Sequence, residues 1–533
     1  MPMTAVPRLV VWRRVEIMQN PAFRGVLAGL FLALIGGAAV VLGFGKVDAA
    51  APPPTVVTCA DAEKPSNVVP VPNRIDATCA VIPTDMNGTG DTQPPVDVYS
   101  WLTFLAVNWP VDATTCAPAP TLSILTAPPN PTWLTYLNSD DVFIKAPATP
   151  APWCGGNAPH GGTRHITGAQ VSAAMREGQT AHLPAPVQAL ARTYFKSHPN
   201  GKLLYLHHDS KGHALAAALR AQAALGTPNR FTAASPSPID PAVLKVILDA
   251  TDQPVVDQHG RFERFTVSMN YDDYHYIMTN KLWTFAGEQA TGNLKFPTAK
   301  TPGATVGAME FKAGWKVLVP GKDTFSHFFT MSEIVYNDGA GSGPPENVTV
   351  GLVALHIIHK TARQSSWIWS TFEQIDNDTD GPQDANPKSF YNPACSPASC
   401  PPNTQTAPTP YIEVRPGGKY NPPTQVVAFV TPSPMTVTLN AQFRGMLKNT
   451  PWWYYQLIST QWSGGSGPIP SPNPAKLGVV QPFLLGNSVM ETYVPPSTAR
   501  SSIYSCMYCH SLFMQGYYKN FTSDFSLMIA AQQ

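Results

Sequence analysis

Apolar residues recur at every second position, or run without interruption, in several segments of the middle of the chain. These patterns predict strands over residues 265–269, 309–319, 328–336, 348–359 and 367–372. The segment 348–359 is the most apolar. Its alternation would place Val348, Val350, Leu352, Ala354, His356 and Ile358 on one side and Val353, Leu355, Ile357 and His359 on the other. A strand with two apolar sides belongs in the centre of a sheet, with 367–372 as a neighbour.

Other segments have the spacing of helices. Residues 166–196 carry an intermittent apolar face, and Asn270 is placed to cap a helix that runs to about residue 285. Helical patterns return at 440–448 and at 452–460, and a strong apolar run covers 100–109. Together these elements predict an α+β fold with a mostly antiparallel sheet core and flanking helices.

The N-terminal region has the pattern of a membrane-targeting segment. Four arginines and one acid occur in residues 1–24, and residues 25–45 carry no charge and are rich in apolar side chains. A helix of that length just spans the hydrocarbon core of a bilayer. We therefore expect residues 1–24 in the cytoplasm, 25–45 as a transmembrane anchor or cleaved signal peptide, and the remainder in the periplasm or cell envelope.

Composition divides the exported part and limits its partners. Residues 46–95 form a Pro-rich tether, 96–496 the α+β body, and 497–533 a separate C-terminal segment.

The formal net charge is +1 and only 13% of residues are charged. This balance argues against nucleic acid as a partner.

Six cysteines precede the C-terminal segment, and an even number in an exported chain indicates disulfides. Cys395 and Cys400 close a short loop and make the most direct pair. Proximity alone suggests Cys59 with Cys79 and Cys116 with Cys154. Spacing cannot fix these pairings.

The C-terminal segment contains Cys506-Met-Tyr-Cys509-His510, the attachment pattern of a covalent c-type haem. Cys506 and Cys509 would form thioethers with the porphyrin, and His510 would be the proximal iron ligand. A redox dithiol would not explain the adjacent histidine. A zinc site would need two further ligands, and Cys395 and Cys400 suit a disulfide better. The motif thus predicts one covalent haem c.

Only residues 511–533 follow the motif, too few for a free-standing cytochrome domain. We expect the haem segment to pack on the large body, which would supply the distal side. His356 is our candidate distal ligand, because the small Ala354 on the same strand face leaves room. Met490, Met528, His359 and a vacant sixth position remain alternatives.

Several blocks resemble a family of large exported bacterial single-haem c-type cytochromes of unassigned function. The similar blocks are 270–277, 310–318, 350–356, 367–373, 505–510 and 524–527, and the resemblance covers about residues 95–533. It implies haem binding and electron transfer. Met528 departs from the apolar, leucine-like residue expected there, which argues against that methionine as a ligand.

Three functions are compatible with these patterns. The first is electron transfer with a redox partner protein of unknown identity. The second is a haem enzyme, peroxidase- or oxygenase-like, with an open iron site, for which Glu310, Glu333 and Glu373 are the available acids. The third is a binding or scaffold protein with structural haem. We expect electron transfer, with membrane contact through 25–45 if that segment is not cleaved.

Overall fold

The structure is a computed structural model. The described residues are 56–63, 70–86, 92–112, 114–127, 129–143, 150, 153, 249–250, 253–336, 345–364, 366–379, 388–407, 421–464, 479–493, 505–517 and 523–529. They all belong to one compact unit, Thr55–Gln533. The expected segments 1–24 and 25–45 and the predicted helix 166–196 lie outside them.

The helices in this part of the chain are α1 (Cys59–Ala62), α2 (Gln93–Val107), α3 (Ser139–Val142), α4 (Tyr271–Thr279), α5 (Phe285–Thr291), α6 (Pro434–Met446) and α7 (Cys506–Tyr517). The strands are β1 (Val111–Asp112), β2 (Ala117–Pro118), β3 (Leu137–Asn138), β4 (Arg264–Met269), β5 (Met309–Leu318), β6 (Thr330–Tyr336), β7 (Pro345–His359), β8 (Ile368–Gln374), β9 (Tyr455–Gly464) and β10 (Val479–Gln481). Short 3₁₀ helices cover Ala77–Ala80, Thr132–Thr135, Phe325–His327 and Pro451–Tyr454. None of the described helices is long and apolar enough to cross a bilayer.

Eight of the described strands form one antiparallel sheet in the order β10-β9-β8-β7-β5-β4-β3, with β6 also paired to β7. The long strand β7 has β5 along one edge; β6 and β8 share the other edge. The predicted α+β fold with an antiparallel sheet core is confirmed. The strand 348–359 is central, as its two apolar sides indicated.

The predicted alternation along β7 is interrupted once. The register with β5 shifts between Gly314 and Trp315, so that Val353 has no partner on β5. Such a β-bulge inserts one residue and turns the following side chains. From Ala354 to His359 the register is regular, and Ala354, His356 and Ile358 share one face.

Two predicted helices need correction. Asn270 does cap a helix, accepting a hydrogen bond from the Asp273 N–H, but α4 ends at Thr279 instead of continuing to residue 285. The predicted helix at 452–460 is wrong. This segment is a 3₁₀ turn followed by β9, whose backbone pairs with β8 from Tyr455 onward. Pairing with an existing strand overrides the local helical spacing.

One face of the sheet is covered by α2 and α6, and we call it the helix-covered face. Trp101 of α2 stacks on Phe443 of α6, with ring centroids 5.0 Å apart, and contacts the edge of Phe372 on β8. Phe104 of α2 stacks on Phe372 at 4.4 Å. Residues 96–107 are all buried, because sheet, α6 and neighbouring turns surround α2. The apolar run at 100–109 is therefore the central part of this layer.

Part of the predicted tether packs against the same layer. Cys59 and Cys79 form the predicted disulfide, with their Cα atoms 5.0 Å apart, and both residues are buried in the main core. The predicted Cys395–Cys400 disulfide is also present. Cys116 is disulfide-bonded, but Cys154 lies outside the described residues, so the Cys116–Cys154 pairing stays a prediction.

Candidate haem-attachment site

The opposite face of the sheet carries the polar and ionisable side chains, and we call it the charged face. Adjacent residues of a strand point to opposite faces. Ser370 of β8 bonds to Ser100 of α2 on the helix-covered face, whereas its neighbour Trp369 contacts His510 of α7. Across β5, β7, β8 and β9 the charged face presents Glu310, Lys312, His356, Ile358, Trp369, Thr371, Glu373 and Gln461. The C-terminal segment packs on it.

Gln461 of β9 fixes the start of α7. Its side-chain oxygen accepts hydrogen bonds from the Ser505 hydroxyl and from the Met507 N–H, each at 3.0 Å. Its side-chain nitrogen donates to the carbonyl of Pro482 at 2.8 Å. Met507 is fully buried in the main core. One glutamine therefore sets the position of the motif on the sheet.

Cys506 and Cys509 lie one helical turn apart on α7, and neither is in a disulfide. The thiol of Cys506 points towards the carbonyl of Leu485, at a sulfur–oxygen distance of 4.0 Å. Burial raises the pKa of Cys506, and burial followed by the nearby charge of Glu491 raises the pKa of Cys509 to about 12. Both side chains are thus neutral thiols, whereas Cys59, Cys79, Cys395 and Cys400 are joined in disulfides.

His510 follows on the same helix and is held through one ring nitrogen. Its Nδ1–H donates to the carbonyl oxygen of Phe525 at 2.8 Å, which leaves the Nε2 lone pair for an iron ligand bond. The ring lies edge-on to Trp369 with centroids 4.4 Å apart. Burial lowers the pKa of His510 to about 4, opposed by the bond to Phe525, so the imidazole is neutral at pH 7. A neutral, oriented imidazole is what an axial ligand requires.

The turn that supplies the Phe525 carbonyl is itself strongly held. Asp524 and Phe525 both have a left-handed backbone, with φ of 55° and 71°. The Asp524 carboxylate is paired with the Lys360 ammonium and accepts the Phe296 N–H at 2.8 Å. The Asp524 carbonyl accepts the indole N–H of Trp367 at 2.8 Å. These contacts keep an unusual backbone in place behind His510.

His356, the candidate distal ligand, lies on the charged face, on which the helix of His510 packs. Its Nε2 is hydrogen-bonded to Glu491 at 3.1 Å, and the other oxygen of Glu491 accepts the Asn487 N–H at 2.7 Å. Burial opposes ionisation of Glu491, but its electrostatic interaction and hydrogen bond with His356 outweigh the burial and lower the pKa of Glu491 to about 2. Lys312 is directly opposite His356 on β5.

These groups act on one another electrostatically. His356 and Lys312 lower the pKa of His510 electrostatically and Glu491 raises it. Glu491 and Lys312 also act on the thiol of Cys506. The motif and the predicted distal histidine, distant in sequence, are therefore electrostatic neighbours. The assignment of His356 as an iron ligand stays a prediction, since ligation through Nε2 would require Glu491 to release it.

The other predicted residues fall in different places. Met490 is buried in a second apolar cluster with Val255 and Phe265. Met528 is buried in the main core, and His359 is hydrogen-bonded to Tyr99 and to the Val306 carbonyl.

The three candidate acids do not all lie at the same place. The carboxyl groups of Glu310 and Glu373 belong to the charged face, whereas Glu333 lies on β6. Glu373 accepts the N–H and the hydroxyl of Ser488.

Sequence reasoning missed Glu491, Lys312 and Gln461. Lys312 stands between two apolar residues, whereas Glu491 and Gln461 each have a threonine on one side. No motif distinguishes any of the three from other polar residues of the chain. The alternation of β5 could have placed Lys312 on the same face as Glu310. The position of Glu491 depends on contacts made far along the chain.

The residues present fit a covalent haem. Two neutral thiols and a neutral histidine with a bonded Nδ1 occupy one helix. Cys506 lies near the carbonyl of Leu485, and the two residues before Leu485 are the exposed apolar side chains Phe483 and Leu484. In the described part of the chain no cluster of three or more His, Cys, Asp or Glu residues could hold a bare metal ion. A porphyrin supplies four of its iron's ligands, so haem needs no such cluster. Comparisons with protein-family models, curated proteins and solved structures give no match.

Proposed function

We propose that this chain is an exported c-type cytochrome that carries one covalent haem and transfers electrons in the periplasm or at the cell envelope. The observation that carries the proposal is the arrangement of Cys506, Cys509 and His510 on α7, with His510 Nδ1 bonded to the Phe525 carbonyl. A bound haem would supply an iron that alternates between Fe(II) and Fe(III).

The roles of the chain's own residues follow from their contacts. Cys506 and Cys509 would form the two thioethers, and His510 would bind the iron through Nε2. The bond to Phe525 and the edge of Trp369 keep the imidazole ring in one orientation, which limits reorganisation between oxidation states. His356 would be the distal ligand of a six-coordinate iron. An unidentified redox partner protein would donate or accept the electron.

Production in a bacterium that attaches haem c tests the proposal directly. We expect the mature protein to have the mass of the polypeptide plus one porphyrin, and its colour to stay with the protein in acidified acetone. Cys506→Ser combined with Cys509→Ser should abolish covalent haem. The matched double variant Cys395→Ser with Cys400→Ser removes a disulfide and should keep the haem. A wild-type protein without the porphyrin mass would refute the proposal.

A haem enzyme is the second candidate, and the His356–Glu491 pair is the observation that favours it. A histidine bonded to a carboxylate near an iron site can hold and transfer a proton, as acid–base catalysis requires. Carbon monoxide distinguishes the two functions. Slow or absent binding to the ferrous protein supports a ligated iron and electron transfer. Rapid binding, unchanged in His356→Ala, would show an open sixth position and favour the enzyme.

A further inference from the structure

A second group of ionisable side chains lies behind His510, on the side of the Phe525 turn. It consists of Asp273 of α4, Glu310 of β5, Lys360 after β7 and Asp524, and we call it the proximal cluster. Asp273 is 0% exposed, Glu310 and Lys360 are each 5% exposed, and Asp524 is 9% exposed. Electrostatic effects on their pKa values connect all four groups. None of them has a role in the attachment chemistry.

The cluster contains three carboxyl groups and a single ammonium group. Lys360 is paired with Asp524. Among the described residues, no hydrogen-bond partner contacts either carboxyl oxygen of Asp273 or Oε1 of Glu310. Two further carboxylates that interact electrostatically in a buried site would carry a large desolvation and repulsion cost. Charge balance therefore requires Asp273 and Glu310 to hold at least one proton between them.

The surrounding groups do not change this balance. Asp272 accepts the N–H groups of Thr305, Val306 and Gly307 and is satisfied by them. Tyr276 of α4 interacts electrostatically with Asp273 and Asp524. Lys295 acts on Asp524 and Lys360, but it is exposed, so solvent screens its charge.

The pKa shifts of the two acids agree with the charge count. Burial raises the pKa of Asp273 well above its usual range, and the charge of Glu310 adds to this. Burial also raises the pKa of Glu310 to about 8, and the charge of Asp524 adds to this. The pair thus keeps a proton near neutral pH, where a redox protein works.

The cluster is connected to the proximal side of the site by the chain itself. Asp524 is followed directly by Phe525, whose carbonyl accepts the Nδ1–H of His510. A change of one unit of charge on the far side of that imidazole alters the electrostatic potential at the cluster, because buried charges are poorly screened. A more negative potential there favours proton binding.

We propose that the Asp273–Glu310 pair is a redox-linked proton site. When the protein accepts one electron from its redox partner, the pair takes up one proton from solvent and a carboxylate becomes a carboxylic acid. When the electron is passed on, the O–H bond breaks and the proton returns to solvent. One electron and one proton therefore move together, and the net charge is conserved. This inference rests on the proposed function.

The midpoint potential of the full-length haem protein, measured by optical redox titration between about pH 6 and pH 9, tests the pair. We expect the potential to fall as pH rises, with a slope approaching about 59 mV per tenfold change in proton concentration. Because the two acids titrate as a unit, both Glu310→Gln and Asp273→Asn should reduce the slope by at least half. Asp97→Asn is the matched control and should keep it: Asp97 is a buried carboxyl on α2 whose pKa is raised by burial to about 6.

A wild-type potential that does not change with pH would overturn the inference, as would a full slope in both variants. If the variants do not fold, infrared difference spectra of the wild-type protein decide. A protonated carboxyl band should appear on reduction and shift in heavy water, and its absence would refute the site. Failure of the proposed function is distinct, because that protein would lack the porphyrin mass altogether.

Discussion

The two faces of the central sheet differ in what holds them. The helix-covered face is closed by aromatic packing, with Trp101, Phe104, Phe372 and Phe443 in mutual contact. The charged face instead buries Glu310, His356 and Glu373, and each of these must find a hydrogen bond or a proton. Apolar burial accounts for stability on the first face. The second face is costly to bury, and it is the one that receives the CxxCH helix.

This difference indicates how the fold divides its tasks. Buried ionisable groups concentrate where a protein needs charge or protons controlled. The same four strands supply both faces, because alternate residues point in opposite directions. Substitutions on the two faces should therefore separate stability from haem properties.

The largest expected effect on stability is on the helix-covered face. Trp101→Ala removes a fully buried ring and should lower the free energy of unfolding by about 3–5 kcal/mol. The folded fraction should keep its haem spectrum. Trp453→Ala is the control, since that half-buried ring lies under Arg444 at 4.7 Å and should cost only about 1 kcal/mol. Denaturant unfolding measures both, and equal losses would contradict the comparison.

Asp524→Asn should come next and should affect both stability and the site. The change leaves the buried Lys360 ammonium without its carboxylate, which costs about 3 kcal/mol. It also loosens the turn that holds His510, so the visible spectrum should show an additional haem species. Asp323→Asn breaks a different buried pair, with Lys316, and should destabilise without a spectral change. A normal spectrum in Asp524→Asn would remove the positioning role of this turn.

Glu491→Gln should have a smaller effect that depends on pH. Because the pKa of Glu491 is lowered to about 2 in the folded protein, its contribution is complete above the ordinary value of 4.5 and is lost as pH falls through 2. The contribution is at most about 3 kcal/mol, from 1.36 kcal/mol per pKa unit. Urea unfolding should therefore show a difference between variant and wild type at pH 7 that shrinks towards pH 3. A constant difference would show that the carboxylate charge is not the cause.

Phe483→Ser should have the smallest effect on stability. The side chain is 51% exposed, so the free energy of unfolding should change by about 0.5 kcal/mol or less. We nevertheless expect a lower midpoint potential, since a more polar surrounding stabilises Fe(III). Val437→Ser on α6, where the side chain is 52% exposed, should change neither quantity. A shift in potential in both variants would show that Phe483 has no special relation to the site.

Much of the sheet was predictable because its signal is local. The alternating residues of β4, β5 and β8 define strands without reference to the rest of the chain, and Asn270 marks a helix start. The strand β9 was not predictable, since its spacing also suits a helix and only pairing with β8 decides. The bulge at Val353 was equally hidden, because it depends on the register with β5.

The residues of the CxxCH motif were visible for a different reason. Cys506, Cys509 and His510 are neighbours along the chain, so the geometry of one helical turn brings them together. The sequence could suggest His356 only from an apolar strand with a small neighbour, Ala354. That its ring is bonded to Glu491 is a contact between residues 135 positions apart.

The amino-acid order by itself therefore determined the CxxCH motif, from which haem attachment is predicted, the α+β class and the strands with clear alternation, since each depends on residues within a few positions of one another. Only the tertiary structure decided which face of the sheet receives α7, which carbonyl holds the His510 ring, and which acids lie unpaired behind it. Those features depend on side chains that meet across hundreds of residues. Their energies come from burial and from pairing between distant side chains, and neither can be predicted from a local sequence pattern.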